Sequence, residues 1–254
     1  MVRQDFRSAA TIFPPGAVPA SEDTYASLLR EKRSRIASRY DIIEKEVEVA
    51  GTLFSLIKVR DSNKLVDEID PKVFAEDERF PYWADIWASS IELARYCLGE
   101  TLLRGKRVLE LGCGLGLVGI AAAKAGAHVT MSDYEVDELE FAWCNAVMNL
   151  PPQVLASSVT VSNLDWRYAV SGMFDVVLAS DIVYERTSFL PIIRLLRQVL
   201  APRGLAIFTD PSRSVGEEFF KTADLEGFAV KTRLHQVSFD GNTNRIVLAE
   251  LIPR

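Results

Sequence analysis

Apolar and polar side chains alternate between Glu44 and Arg60: Val47 and Val49 precede Ala50-Gly51, and Ile57 and Val59 follow it. A period of two around a turn predicts a β-hairpin. Further along, Trp83, Ile86, Trp87, Ile91, Ala94 and Leu98 recur at the spacing of one helix face, on a helix opening within Pro81–Ser90. Val108, Leu109 and Leu111, with Glu110 among them, then read as a short buried strand running into Gly112, Gly114 and Gly116. A wholly apolar helix follows, and a second strand ends at Asp133. An amphipathic helix over Glu135–Met148 stops at Pro151 and Pro152, because proline cannot continue the hydrogen-bond ladder. Strands are predicted at Ser158–Leu164 and Phe174–Ala179, the latter leading into Ser180-Asp181-Ile182-Val183-Tyr184. A helix over Ser188–Leu200 and a strand over Leu205–Thr209 come next, then Asp210-Pro211-Ser212-Arg213 and another helix. Two long alternating strands, Phe228–Phe239 and Arg245–Ile252, close the chain.

Strands alternating with helices and closing on a hairpin predict an α/β fold. It is a Rossmann-like, seven-stranded, mostly parallel sheet with one antiparallel strand and helices on both faces. Residues 1–78 are expected to form an N-terminal extension of flexible tail, helix and β-hairpin, and residues 79–254 the main domain. The tail runs to about Ala20, and Ser21 caps a helix reaching Arg39. Its basic cluster, Arg30, Lys32, Arg33, Arg35 and Arg39, reads as a solvated face. The hairpin should frame the entrance of the core, and Asp67–Arg79 reads as an acidic surface connector. Right-handed crossovers would set the strand-end acids Glu110, Asp133, Asp165, Asp181 and Asp210 on one edge, where open α/β sheets bind ligands.

Composition narrows the classes. Over 254 residues, 48% apolar and 25% charged side chains suit a globular chain with an ordinary core. A net charge of −6 argues against a nucleic-acid surface, which carries a basic excess. Cys97, Cys113 and Cys144 are odd in number and show no CxxC, so neither a disulfide framework nor a zinc site is expected, and a reducing, cytoplasmic setting is. With only His128 and His235, no metal cluster or Ser-His-Asp triad is expected. No run approaches the ~18 apolar residues of a membrane span, and Pro14-Pro15 break the opening stretch against a secretory signal.

The glycine loop carries the chemistry. Gly114-Leu115-Gly116-Leu117-Val118-Gly119 formally matches the dinucleotide pattern GxGxxG, with Asp133 at a compatible distance. The loop opens earlier, however. Glu110-Leu111-Gly112-Cys113-Gly114-Leu115-Gly116 resembles the first motif of S-adenosylmethionine-dependent methyltransferases. That donor has no pyrophosphate, so a carboxylate at Glu110 would meet the methionine ammonium and Asp133 the ribose hydroxyls. Trp83 and Trp87 suit either a core or a wall for a cationic, flat ligand.

LELGCGLGLVG, GAHVTMSD, NLPP, LDW and SDIVY, in that order, resemble the seven-β-strand protein-lysine methyltransferases of methyltransferase family 16, over about Pro81 to Ile252. The resemblance implies S-adenosylmethionine as donor and a lysine side chain on a protein as acceptor. It implies that Trp87 contacts the cofactor, that Gly112, Cys113 and Gly114 form its loop, and that Trp166 and Ser180 flank its adenine and methionine parts. Asp181 and Tyr184 match the family's Asp-x-x-Tyr and are the catalytic candidates. Trp83, Glu110, Gly116, Asp133, Tyr134 and Asp165 complete the candidate cofactor site. The chain departs from the family at Ala88, where many members have Pro, and at Ser180, where Ala is common. Asp210-Pro211-Ser212-Arg213 resembles the flavoprotein-modifying branch.

The implied reaction is an in-line displacement at a sulfonium methyl, which needs a deprotonated amine held on the methyl axis. Desolvation against Tyr184 lowers a lysine pKa, and Asp181 aims the amine. Whether Asp181 also takes the proton stays open at this level. The marks of nucleobase methylation are missing: no Asn/Asp-Pro-Pro-aromatic follows the fourth strand, and no cysteine follows a proline. The expected partner is a protein bearing an accessible lysine, met by a monomer without nucleic acid or membrane. Two other readings remain: a small-molecule amine or pyridine N-methyltransferase, and a non-catalytic module on the same scaffold.

Overall fold

Alternation of apolar residues decides which side of the sheet each strand residue serves. In the computed structural model, which describes residues 10–13, 21–67, 81–99, 101–168 and 170–254, the central strand β4 (Arg107–Leu111) sends Val108 to one apolar cluster and Leu109 and Leu111 to the other. Strand β7 (Phe174–Ser180) divides in the same way, Val176 and Leu178 on one face and Val177 and Ala179 on the other.

The remaining strands are β1 (Ala10–Phe13), β2 (Ile42–Val49), β3 (Thr52–Val59), β5 (His128–Asp133), β6 (Val159–Asn163), β8 (Leu200–Asp210), β9 (Phe228–Phe239) and β10 (Asn242–Pro253). The helices are α1 (Glu22–Ala37), α2 (Ser62–Asp67), α3 (Ala88–Gly99), α4 (Leu117–Lys124), α5 (Val136–Asn149), α6 (Pro152–Ser158), α7 (Phe189–Val199) and α8 (Ser214–Leu225). The main sheet runs β1-β6-β5-β4-β7-β8-β10-β9. Pairs β6-β5, β5-β4, β4-β7 and β7-β8 are parallel, and β10 lies antiparallel between β8 and β9. Seven strands with one reversed are the arrangement expected from the sequence.

An eighth strand is not. The stretch expected as loose tail contributes β1, antiparallel to β6 with Ala10 opposite Asn163. Thr11, Ile12 and Phe13 are strand-favouring types, and pairing them covers an edge that β6 would otherwise leave open. The Asp67–Arg79 connector and a boundary at 78/79 lie almost wholly outside the described residues.

The N-terminal elements are built into the core. Tyr25 and Ile36 of α1 and Phe54, Leu56 and Ile57 of β3 share one cluster with Ile120 and Phe141 of α4 and α5. The basic cluster of α1 keeps Arg30, Arg35 and Arg39 exposed, as expected of a solvated face, and two of them also reach α5. Arg35 pairs with Glu140, Arg39 reaches Asp137 at 2.6 Å, and the Tyr40 hydroxyl donates to Asp137 at 2.7 Å. The hairpin is fastened by asparagines one helical turn apart. Asn145 accepts from the Ile57 N–H at 2.7 Å and donates to the Ile57 and Leu115 carbonyls at 3.1 and 2.9 Å. Asn149 does the same for Ser55, at 3.0 and 2.7 Å. Two side-chain amides on α5 thus stand in for a neighbouring strand.

Candidate active site

The carboxyl ends of β4, β5 and β7 open onto a cavity of about 240 Å³ whose walls include Trp83, Trp87, Gly112, Asp133, Asp181 and Tyr184. Gly112 and Gly114 have φ of +65° and +48°. A Cβ at Gly112 would sit 2.6 Å from Ile182 Cγ2, so the loop must be glycine here to fold under the residue that follows Asp181.

Where the loop amides point separates the two nucleotide readings. The N–H of Cys113 donates to the Ser132 carbonyl at 2.9 Å and that of Gly116 to the Cys113 carbonyl at 2.8 Å. Gly114 N–H donates to Asp133 Oδ2 at 2.8 Å, and Tyr134 N–H to Asp133 Oδ1 at 2.7 Å. A pyrophosphate site needs such amides free. Here the Gly114 amide, together with that of Tyr134, pins the Asp133 carboxylate at the cavity wall. Glu138, buried beside it, lines the same cavity. Burial, then the charge of Asp133, raise the Glu138 carboxyl well above its ordinary value, favouring the protonated form that is able to donate to Asp133. Burial likewise raises the Cys113 thiol, which packs as an inert group in the loop.

The mouth is aromatic. The Tyr82 ring stands edge-on to Tyr184 at 5.2 Å and to Trp87 at 6.1 Å between centroids. Trp87 donates its indole N–H to the Tyr82 carbonyl at 2.7 Å. Burial raises the Tyr184 hydroxyl, leaving a neutral phenol. Trp83 packs its ring on Phe141 at 5.2 Å while lining the cavity, so it serves core and wall at once. The two tryptophans do not share a helix face, as their spacing suggests. Tyr82–Ala84 form one turn of 3-10 helix, Asp85 is extended, and α3 begins only at Ala88. Asp85 fixes that break: burial pushes its carboxyl up, but Lys58 and the Ile86 N–H outweigh this and hold it low.

Asp181 has a φ of +61° and is held there by its N–H, which donates to the Thr209 carbonyl at 2.9 Å. Its Oδ1 contacts the guanidinium of Arg213. Arg213 in turn binds Asp210 at 3.1 Å, and Asp210 accepts the Arg213 N–H at 2.8 Å. Arg213 therefore bridges the ends of β7 and β8, leaving Asp181 Oδ2 without a protein partner among the described residues. Burial pulls the Arg213 pKa down and pushes that of Asp210 up.

Ten of the fourteen residues expected at the site line the cavity: Asp181 and Tyr184, Trp83 and Trp87, Gly112, Cys113, Gly114, Asp133, Trp166 and Ser180. The other four do not. Glu110 alternates onto the helix-covered face of β4, where its Oε2 is buried and unpartnered and lies 2.5 Å from the place of a Gly119 Cβ. Burial and then the charge of Asp133 raise its pKa. Gly116 sits at the start of α4 with a Cβ position 3.2 Å from Ala142, packing helix on helix. Asp165 is occupied by Arg167 at 2.7 Å, which also lies over the Tyr134 ring. Sequence reasoning missed Tyr82, Asp85, Glu138 and Arg213. Tyr82 could have been taken with its neighbours in PYW, and Arg213 from the acid three residues before it.

The loop amides of Cys113, Gly114 and Gly116 are already bonded within the protein, and the wall offers Asp133 and a glycine cradle. A nucleoside donor without phosphate fits, and the fold with this loop defines a class I S-adenosylmethionine-dependent methyltransferase. The sequence comparison is narrower: residues 73–226 match the lysine methyltransferase family, and the chain belongs to it. It is 35% identical over 153 residues to protein N-lysine methyltransferase METTL21A of Danio rerio, covering 58% of this chain and 69% of that one. To EEF1A lysine methyltransferase 3 of Mus musculus it is 34% identical over 144 residues, 54% of this chain and 60% of that one. Magnesium protoporphyrin IX methyltransferase of Synechocystis PCC 6803, solved with S-adenosylmethionine, superposes with a TM-score of 0.52 at 21% identity over 76% of this chain and 98% of the other. At that identity the likeness is one of fold.

Proposed function

We propose that this chain transfers a methyl group from S-adenosylmethionine to the ε-amine of a lysine in a protein substrate. The observation that carries the reading is the aromatic corner of Tyr82, Trp87 and Tyr184 set beside Asp181 at the carboxyl edge of the sheet. Family membership supports it, as do the two relatives whose names give protein-bound lysine as the acceptor.

When bound, the donor supplies an electrophilic methyl on a sulfonium. Gly112, Gly114 and Asp133 hold the nucleoside end, and Ser180 and Ile182 line the passage to the acceptor. A lysine enters as an ammonium. The ring faces attract it by cation–π contact worth about 0.5–2 kcal/mol, and removal from water lowers its pKa. Asp181 Oδ2 then accepts a hydrogen bond from the amine and fixes the line of attack. Such positioning supplies about 7–11 kcal/mol of the barrier. With Arg213 neutralising its other oxygen, Asp181 orients the amine, and the proton leaves to water at the mouth.

Cys97, Cys113 and Cys144 are free and buried, which supports a reducing, cytoplasmic setting for a monomer acting on a protein. Among the described residues no helix is long and apolar enough to cross a membrane. Incubating the purified protein with labelled donor and an extract of cells lacking it should label a protein band. Label confined to small molecules overturns the reading in favour of a metabolite acceptor.

A further inference from the structure

We infer that the open face of the β9–β10 hairpin beside Arg213 docks an extended segment of the acceptor protein, one carrying an apolar and an acidic residue within a few positions of the target lysine. This inference rests on the protein-lysine reading. One face of the hairpin packs on α3, and α8 covers only part of the other. What stays open is a groove floored by Phe220, Val230, Leu234 and Val247, with Arg213 at one end. Arg213 also lines the active-site cavity, so the groove starts where the acceptor amine is held.

The strand register gives the reach. Asp210 lies opposite Val247, and Val247 opposite Leu234, so the three form one row across β8, β10 and β9. Two interstrand steps of about 4.8 Å span roughly 10 Å, the length of about three extended residues. Leu234 is 53% exposed at the end of that row and Leu225, at the groove's rim, is 85% exposed. Both offer apolar surface that an extended chain can cover. The edge backbone of β9, which has no neighbouring strand among the described residues, can add main-chain hydrogen bonds.

Charge sets the second requirement. Glu217 pairs with Lys221 at 2.6 Å, Asp224 with Arg254, and Arg213 with Asp181 and Asp210. Arg245, exposed on the same wall, has no ion pair among the described residues. The groove therefore presents one uncommitted positive charge beside an apolar floor, which complements an acidic side chain next to an apolar one.

The test uses synthetic peptides with one central lysine and, within five positions of it, Leu and Glu, Leu and Ser, Ser and Glu, or two Ser. They are methylated by the full-length protein with labelled donor. Wild-type kcat/KM should favour the Leu/Glu peptides by on the order of tenfold, carried by KM. L234D should remove the Leu preference and R245E should remove the Glu preference, with kcat, donor binding and melting unchanged. Equal rates on all peptides with wild type, or an unaltered preference in both variants, overturns the docking face alone. If wild type binds donor yet labels no lysine peptide and no protein, the lysine reading itself fails and takes this inference with it.

Discussion

On the proposed reading, Asp181 is the residue on which transfer turns. Asp181→Asn keeps the shape and loses the charge that aims the amine, so kcat should fall by about 10²–10³-fold while donor affinity changes little. Single-turnover rates beside calorimetric donor binding would show the split. At Tyr184 the ring matters more than the hydroxyl: Tyr184→Phe should stay near wild type, and Tyr184→Ala should raise the acceptor KM. Glu138 makes a pH prediction. Its folded pKa lies above the ordinary 4.5, so its stabilising contribution is present below that value and is lost as pH rises toward the raised one. Glu138→Gln keeps a donor toward Asp133 without a titrating proton. The melting temperature of the variant relative to wild type should climb from pH 5 to pH 8, and a pH-independent difference contradicts the assignment. Asp181 and Asp133 were legible because each ends a strand and fold topology gathers strand ends. The link from Arg213 to Asp181 was not, since it crosses from β8 to β7 and exists only once the sheet is built. Glu110 shows the reverse: its place in the motif suggested a ligand contact, whereas its register on β4 turns it under α4.

Among the elements, the β2–β3 hairpin and the segment before α3 show how far periodicity carries. Alternation located both hairpin strands within a few residues, but not that side-chain amides on α5 would complete the edge of β3. Asn145→Leu would strand the Ile57 N–H and two carbonyls in a dry interior. At about 1–3 kcal/mol per unmet group, a loss of at least roughly 3 kcal/mol is expected in denaturant melts. Because Asn145 also holds the Leu115 carbonyl of the glycine loop, donor affinity should fall with it. The Trp83–Leu98 stripe misled because a 3-10 turn and an extended residue reproduce helical spacing over five positions. The break is set by Asp85 meeting Lys58 from the hairpin, a contact between segments 27 positions apart. That same contact ties the hairpin to Asp85 in the cavity wall, but among the described residues no hairpin residue lines the cavity, so the expected framing of its entrance is not seen.

Over the whole molecule, the parallel sheet, its reversed strand and the site at its carboxyl edge follow from the alternation of strands, helices and glycine turns. The N-terminal elements share a core with the nucleotide-binding unit, which composition alone could not show. The acceptor, by contrast, is on the proposed reading a property of the mouth: an aromatic corner for a cation and Asp181 for aim. Acid hydrolysis of protein labelled by this enzyme with methyl-labelled S-adenosylmethionine, followed by amino-acid analysis, tests that claim most directly. The label should be recovered as ε-N-methylated lysine, and be lost with Asp181→Asn. Label recovered as methylarginine or methylhistidine, or no transfer to protein from an enzyme that binds the donor, would contradict it.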